Sequence, residues 1–72
     1  MNYRRLGKTG LMVSEIGFGA EWMERHSPAE CRAVLDRAEE LGINILDCWM
    51  SEPNVRASLG QALKGRRERW YI

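Results

Sequence analysis

Long apolar runs are missing from this chain. A membrane-spanning helix needs roughly 18–20 consecutive apolar residues, and no stretch approaches that. The opening residues, Met1-Asn2-Tyr3-Arg4-Arg5-Leu6, also lack the apolar core of a signal peptide. Both absences point to a cytoplasmic protein with no membrane partner. Cysteine is scarce. Cys31 and Cys48 are too few and too far apart for a metal knuckle, so no metal site is expected. Cys31 falls in an apolar helical stripe and Cys48 beside a strand, which reads as two free thiols rather than a bridge. That fits a reducing compartment. Neither sign of charge is in real excess. The net charge of +1 gives no push toward nucleic acid or a lipid surface. The one histidine, His26, stands next to a helix start, where it reads as a surface residue rather than a ligand. With 72 residues the chain is one domain at most. A core of that size often needs a staple or a partner.

The rest of the sequence is organised around Leu41-Gly42-Ile43-Asn44-Ile45-Leu46-Asp47. Gly42 can take the positive φ that closes a helix. Ile43, Ile45 and Leu46 then form an apolar run with little polar interruption, the pattern of a strand covered on both faces. Asp47 is costly at the end of such a run unless it is paired or doing chemistry. Reactive groups in parallel α/β folds gather at the carboxyl ends of strands. The other reading of Asp47 is a cap for the next helix.

Before that stretch, Tyr3–Leu6 and Leu11–Val13 flank Gly7-Lys8-Thr9-Gly10, a hairpin signal. Tyr3, Leu6, Leu11 and Val13 would supply its apolar side. Two strands alone are marginal, so the hairpin should lie on something larger. Ile16-Gly17-Phe18-Gly19 alternates as a strand does, and lacks the third glycine and immediate helix of a dinucleotide fingerprint. Glu21 to His26 reads as a loop, with Trp22 and Met23 either packed beneath it or lining a ligand cavity. Ser27-Pro28-Ala29-Glu30 predicts a capped helix running to about Leu41. Cys31, Val34, Leu35, Ala38 and Leu41 would face inward, and Arg32 could pair with Asp36 on the solvated side.

After Asp47, Ser51 or Glu52 could cap a second helix over about 53–64, burying Val55, Leu59, Ala62 and Leu63. Gly60 costs such a helix about 1 kcal/mol relative to alanine, which suggests close packing on the sheet. Arg66-Arg67-Glu68-Arg69 reads as a solvated basic turn rather than a phosphate clamp. Arg69–Ile72 would begin a third strand, with Tyr71 in the core. Hairpin, then β-α-β-α-β, implies parallel pairing over 15–20, 43–48 and 69–72, with right-handed crossovers. Two helices cover only one face of strands that read apolar on both. Residues 1–72 are therefore expected to be an incomplete domain, the first part of a larger α/β protein, which associates with itself or is completed by further chain.

Several spaced motifs together resemble the start of the aldo/keto reductase superfamily. They are Tyr3-Arg4-Arg5-Leu6-Gly7-Lys8-Thr9-Gly10-Leu11-Met12-Val13-Ser14, Ile16-Gly17-Phe18-Gly19, Ala38-Glu39-Glu40-Leu41-Gly42-Ile43-Asn44 with Asp47, and Leu59-Gly60-Gln61-Ala62-Leu63. The resemblance implies the amino-terminal part of an eight-stranded (β/α)8 TIM barrel whose hairpin closes one end. It implies an oxidoreductase that reduces carbonyl substrates with NADPH in the full-length protein, and a 72-residue segment that is inactive and does not hold NADPH tightly. Asp47 falls on the family's catalytic aspartate and would also meet the cofactor, and Gly19, Ala20, Glu21 and Trp22 fall on the loop that approaches the nicotinamide side of the cofactor. The family's lysine and histidine belong beyond Ile72. The proton-donating tyrosine is the departure, because Glu52 stands at its position. A glutamate titrates near ~4.3 against ~10 for tyrosine, so Glu52 would hold no proton at neutral pH unless burial or the Asp47 charge raised it. This substitution supports an alternative: a non-enzymatic scaffold or binding protein built on the same fold.

Overall fold

The computed structural model describes residues 1–48 and 53–72. Its elements follow the order read from the sequence. Strands β1 (Tyr3–Arg5) and β2 (Met12–Ser14) form an antiparallel hairpin. Strand β3 (Phe18–Gly19) leads through a 3-10 turn (Glu21–Arg25) to helix α1 (Pro28–Glu40). Strand β4 (Leu46–Asp47), helix α2 (Pro53–Ala62) and a second 3-10 turn (Arg67–Arg69) complete it.

Helix α1 begins as its sequence dictates. Ser27 Oγ accepts the Glu30 N–H at 3.2 Å, the Glu30 carboxylate accepts the Ser27 N–H at 3.2 Å, and Pro28 sits in the first turn. Those hydrogen bonds, from the Ser27 backbone first and then from His26, hold the Glu30 carboxyl below its usual range. Gly42 closes the helix at φ +87°. Its carbonyl accepts the Tyr3 hydroxyl at 2.7 Å, and a Cβ on Gly42 would stand 2.8 Å from that same hydroxyl oxygen. Gly42→Ala should therefore cost about 2 kcal/mol, part left-handed strain and part the displaced Tyr3 bond. Chemical denaturation would read this as a lowered midpoint; an unchanged midpoint would remove both causes.

The sheet is parallel throughout, in chain order. Phe18 pairs with Leu46 and Gly19 with Asp47. Tyr71 joins the other side of β4 by a parallel bridge to Ile45, with Leu46 N–H to Tyr71 O and Tyr71 N–H to Asn44 O both at 2.8 Å. The strands are shorter than predicted, for local reasons. Ser14 Oγ donates to Ile16 O at 2.7 Å, holding that carbonyl in a side-chain turn, and Ile16 is exposed. At the third strand Arg69 is taken into the 3-10 turn, with Trp70 N–H bonded to Arg67 O.

Strand alternation sorts the residues into two faces. Phe18, Leu46 and Trp70 turn toward the helices. There Trp70, Met23, Leu35 and Cys31 are fully buried, with Ala20, Leu59, Ala62 and Leu63 packed among them. Burial raises the Cys31 thiol pKa, and both cysteines are free thiols. Met23 thus packs beneath its loop. Two inward positions expected of α1 are not buried: Val34 and Leu41 are exposed. With Phe18, Ala38 and Ile43 they line an open hollow of about 360 Å³ that no described element covers. Gly60 does not pack on the sheet either, since nothing lies within 4 Å of where its Cβ would be. Val55 lies outside the residues whose side chains are described.

Two polar networks tie the elements together. Asn44 interrupts the apolar run because it docks the hairpin. Its side-chain carbonyl accepts the Ser14 N–H at 2.8 Å, its amide donates to Met12 O at 3.0 Å, and its own N–H bonds Ser14 Oγ at 3.1 Å. The hairpin is thus held by hydrogen bonds more than by an apolar side: Val13 is buried, while Tyr3 and Leu6 are exposed. The second network corrects the reading of the basic turn. Arg66 is buried and ion-paired with Asp36 and Glu39, and Arg69 also reaches Glu39. The Trp70 indole N–H donates to the same Glu39 carboxylate at 2.8 Å. Asp36 is thereby engaged by Arg66 rather than Arg32, which donates to Gln61 O instead.

Candidate functional site

Strands β3 and β4 end side by side. Gly19 is in register with Asp47, and the Ala20 N–H carries the ladder one step further onto Asp47 O at 2.9 Å. Because Leu46 turns inward to the core, Asp47 turns to the opposite face and is exposed. That face is the floor of an open hollow of about 580 Å³. Leu6 and Leu11 of the hairpin border it on one side; Ile45 and Tyr71 lie in the middle; Gly19 and Asp47 stand at the strand ends. Asp47 is the only acidic side chain among the described residues that line it. Gly19 leaves its neighbourhood open, with nothing within 4 Å of a Cβ position. Tyr71 is on this exposed face rather than in the core.

The loop after β3 is more divided than its sequence implied. Ala20 is fully buried, and its carbonyl is taken by the Met23 N–H at 3.0 Å, so it meets the open face through neither side chain nor free backbone. Glu21 is exposed. Trp22 is half-buried, with its ring edge-on to Phe18 at 5.9 Å and to His26 at 4.9 Å. Glu21 and Trp22 line a separate hollow with Arg25 and His26. His26 also bonds Glu30 at 3.1 Å. The structure therefore joins Gly19 to Asp47 and sets Glu21 and Trp22 one turn away. Glu52 lies outside the described residues. Sequence reasoning missed Tyr71 as a lining residue; its alternation with the buried Trp70 was the available signal. Among the described residues no group of three or more His, Cys, Asp or Glu could hold a metal ion, and no helix is long and apolar enough to cross a membrane.

The same arrangement recurs in a solved structure, "Putative aldo-keto reductase" from Pseudomonas aeruginosa, with a TM-score of 0.82 and 35% sequence identity over 94% of this chain. The chain is a relative of the aldo/keto reductases. It covers 28% of that aldo/keto reductase chain. Two curated proteins are also similar, both named "Probable voltage-gated potassium channel subunit beta". The one from Oryza sativa subsp. japonica is 33% identical and the one from Arabidopsis thaliana 35% identical, each over 69 residues and 89% of this chain. The chain spans 21% of the length of each. No family model matches it. Its likeness to the aldo/keto reductases thus rests on a shared backbone arrangement over 94% of this chain, together with about one-third sequence identity.

Proposed function

We propose that these residues form one side of a (β/α)8 barrel, and that the completed protein is an NADPH-dependent, cytoplasmic aldo/keto reductase that reduces carbonyl substrates. The observation that carries this reading is Asp47 at the carboxyl end of a parallel strand, beside Gly19, on an apolar sheet face bordered by a hairpin. Asp47 there can orient a lysine supplied by a neighbouring strand, and that lysine would favour the ionised form of a proton donor. Ile45 and Tyr71 keep the floor of the site apolar and so strengthen the charge–charge interaction above it.

NADPH would supply the hydride. The residues present fit its nicotinamide end, where Gly19 leaves room for a flat ring and Asp47 stands at the edge. They do not supply its phosphate site: among the residues lining the two hollows, Arg25 is the only Lys or Arg. The 72-residue chain should therefore show no tight NADPH binding by calorimetry. A graft in which it replaces the matching segment of the Pseudomonas aeruginosa aldo/keto reductase should bind. In that graft, with Glu52→Tyr to supply a proton donor, Asp47→Asn should lower kcat by about 100-fold while leaving the melting temperature near its starting value. Turnover indifferent to Asp47→Asn would mean the site is assigned to the wrong residue.

A second reading has its own support. Glu52 stands where the family carries tyrosine, and the curated relatives are named as channel subunits. On this reading the completed protein is a non-enzymatic scaffold or partner-binding protein. The graft with unaltered Glu52 would then oxidise no NADPH with any aldehyde or quinone. On either reading the isolated chain, with its sheet face open, associates with itself or is completed by further chain.

A further inference from the structure

We propose that His26 fastens the turn after β3 to the start of α1, and that the fastening tightens when its imidazole takes up a proton. This device belongs to the turn itself, whether or not the completed protein reduces carbonyls. The 3-10 turn (Glu21–Arg25) ends on His26, whose backbone is extended at φ −128° and ψ 151°, and α1 starts only after Ser27. The helical ladder breaks at that junction, so side chains fix its geometry. His26 Nδ1 lies 3.1 Å from Glu30 Oε2 in the first turn of α1. Its ring stands edge-on to Trp22 at 4.9 Å. Trp22 meets Phe18 of β3 at 5.9 Å, and Phe18 meets the buried Trp70 at 6.2 Å. One exposed imidazole thus joins the capped helix start to the aromatic side of the sheet.

Glu30 supplies the fixed charge. Its Oε1 accepts the Ser27 N–H at 3.2 Å and the Ser27 hydroxyl at 3.1 Å. Hydrogen bonds from the Ser27 backbone, then His26, then the Ser27 hydroxyl hold the carboxyl below its usual range, so it is ionised at neutral pH. An ionised carboxylate only accepts. Nδ1 therefore presents its hydrogen to Glu30, and Nε2 is the nitrogen that gains or loses the proton. A charged donor makes a shorter and stronger bond to a carboxylate than a neutral one does. Glu21 and Arg25 share the hollow of about 410 Å³ with His26 and carry opposite charges, so neither takes the place of Glu30. Within α1 the next charge, Arg32, is turned to Gln61 O. Helix α2 also packs on the turn, but its one charged residue, Arg56, lines a different hollow. Histidine is the side chain that changes charge between about pH 5 and 8, and His26 is the only one here.

The test is amide hydrogen exchange on the 72-residue chain, read by mass spectrometry on peptides covering the turn and corrected for the intrinsic exchange rate. The Met23 N–H on Ala20 O and the His26 N–H on Met23 O are the turn's own reporters. Their protection should be about two- to fivefold greater near about pH 5.5 than near about pH 8, the size expected of a partly exposed ion pair. Protection of the β1–β2 hairpin should not change with it. Trp22 emission, taken as the difference from Trp22→Phe, should fall over the same interval as the charge arrives beside the indole. His26→Gln and Glu30→Gln should each abolish the pH dependence. Ser27→Ala should weaken the cap and keep the pH dependence, which separates the His26–Glu30 contact from simple damage to α1. The proposal is overturned if turn protection is equal at the two pH values, or if the difference survives His26→Gln or Glu30→Gln. It is also overturned if Ser27→Ala removes the difference, if Trp22 emission stays constant, or if the difference grows with chain concentration, which would make it a consequence of association.

Discussion

Glu52→Tyr should raise carbonyl reduction by at least about 100-fold when the chain is carried in the Pseudomonas aeruginosa aldo/keto reductase. General acid catalysis contributes about 10²–10⁴-fold, and it needs a group that still holds its proton at the working pH. A tyrosine near ~10 does so; an unperturbed glutamate near ~4.3 does not. The measurement is NADPH absorbance with a panel of aldehydes and quinones. Equal rates for the Glu52 and Tyr forms would show that residue 52 is not where the proton donor stands. Robust turnover with Glu52 that Glu52→Gln abolishes would instead make the glutamate itself the acid, held neutral by its surroundings.

Glu39→Ala should cost about 3 kcal/mol, a large share of the stability of a chain this small. Glu39 is the acceptor on which the Trp70 indole, Arg66 and Arg69 converge. Removing it leaves the buried Arg66 with Asp36 as its remaining ion-pair partner and the buried Trp70 N–H without its acceptor. Glu39→Gln keeps an acceptor for the indole and should cost less. Thermal and urea unfolding would separate the two. A loss below about 0.5 kcal/mol for Glu39→Ala would place the network among exposed ion pairs of little consequence.

Helix starts and chain order were the most legible features, because their signals are local. Ser27, Pro28 and Glu30 specify a cap through bonds made within three residues, and Gly42 specifies a stop through its own φ. Parallel pairing followed from strands alternating with helices. Strand length was not legible, since it depends on which partner takes each backbone group. Ser14 holds the Ile16 carbonyl, and the basic turn absorbs Arg69. Long-range polar contacts were equally hidden. Asn44 looked like an interruption and is the anchor of the hairpin; Arg66 looked solvated and is buried between two carboxylates. The site was legible where it depends on strand ends, which set Gly19 beside Asp47. It was not legible in the following loop, where a 3-10 turn buries Ala20 while Glu21 stays exposed. Val34 and Leu41 carried an inward pattern correctly in chemistry, yet no described element covers them. Their exposure, like that of Ile16, Tyr71 and Ile72, has the character of a surface awaiting a partner layer.

Sedimentation velocity on the 72-residue chain at low micromolar concentration tests the barrel reading most directly. An open apolar sheet face, with Val34 and Leu41 exposed on the helix side, predicts concentration-dependent association into dimers and larger species. A monodisperse monomer that also unfolds cooperatively would contradict it, because the chain would then be a finished small domain rather than one side of a barrel.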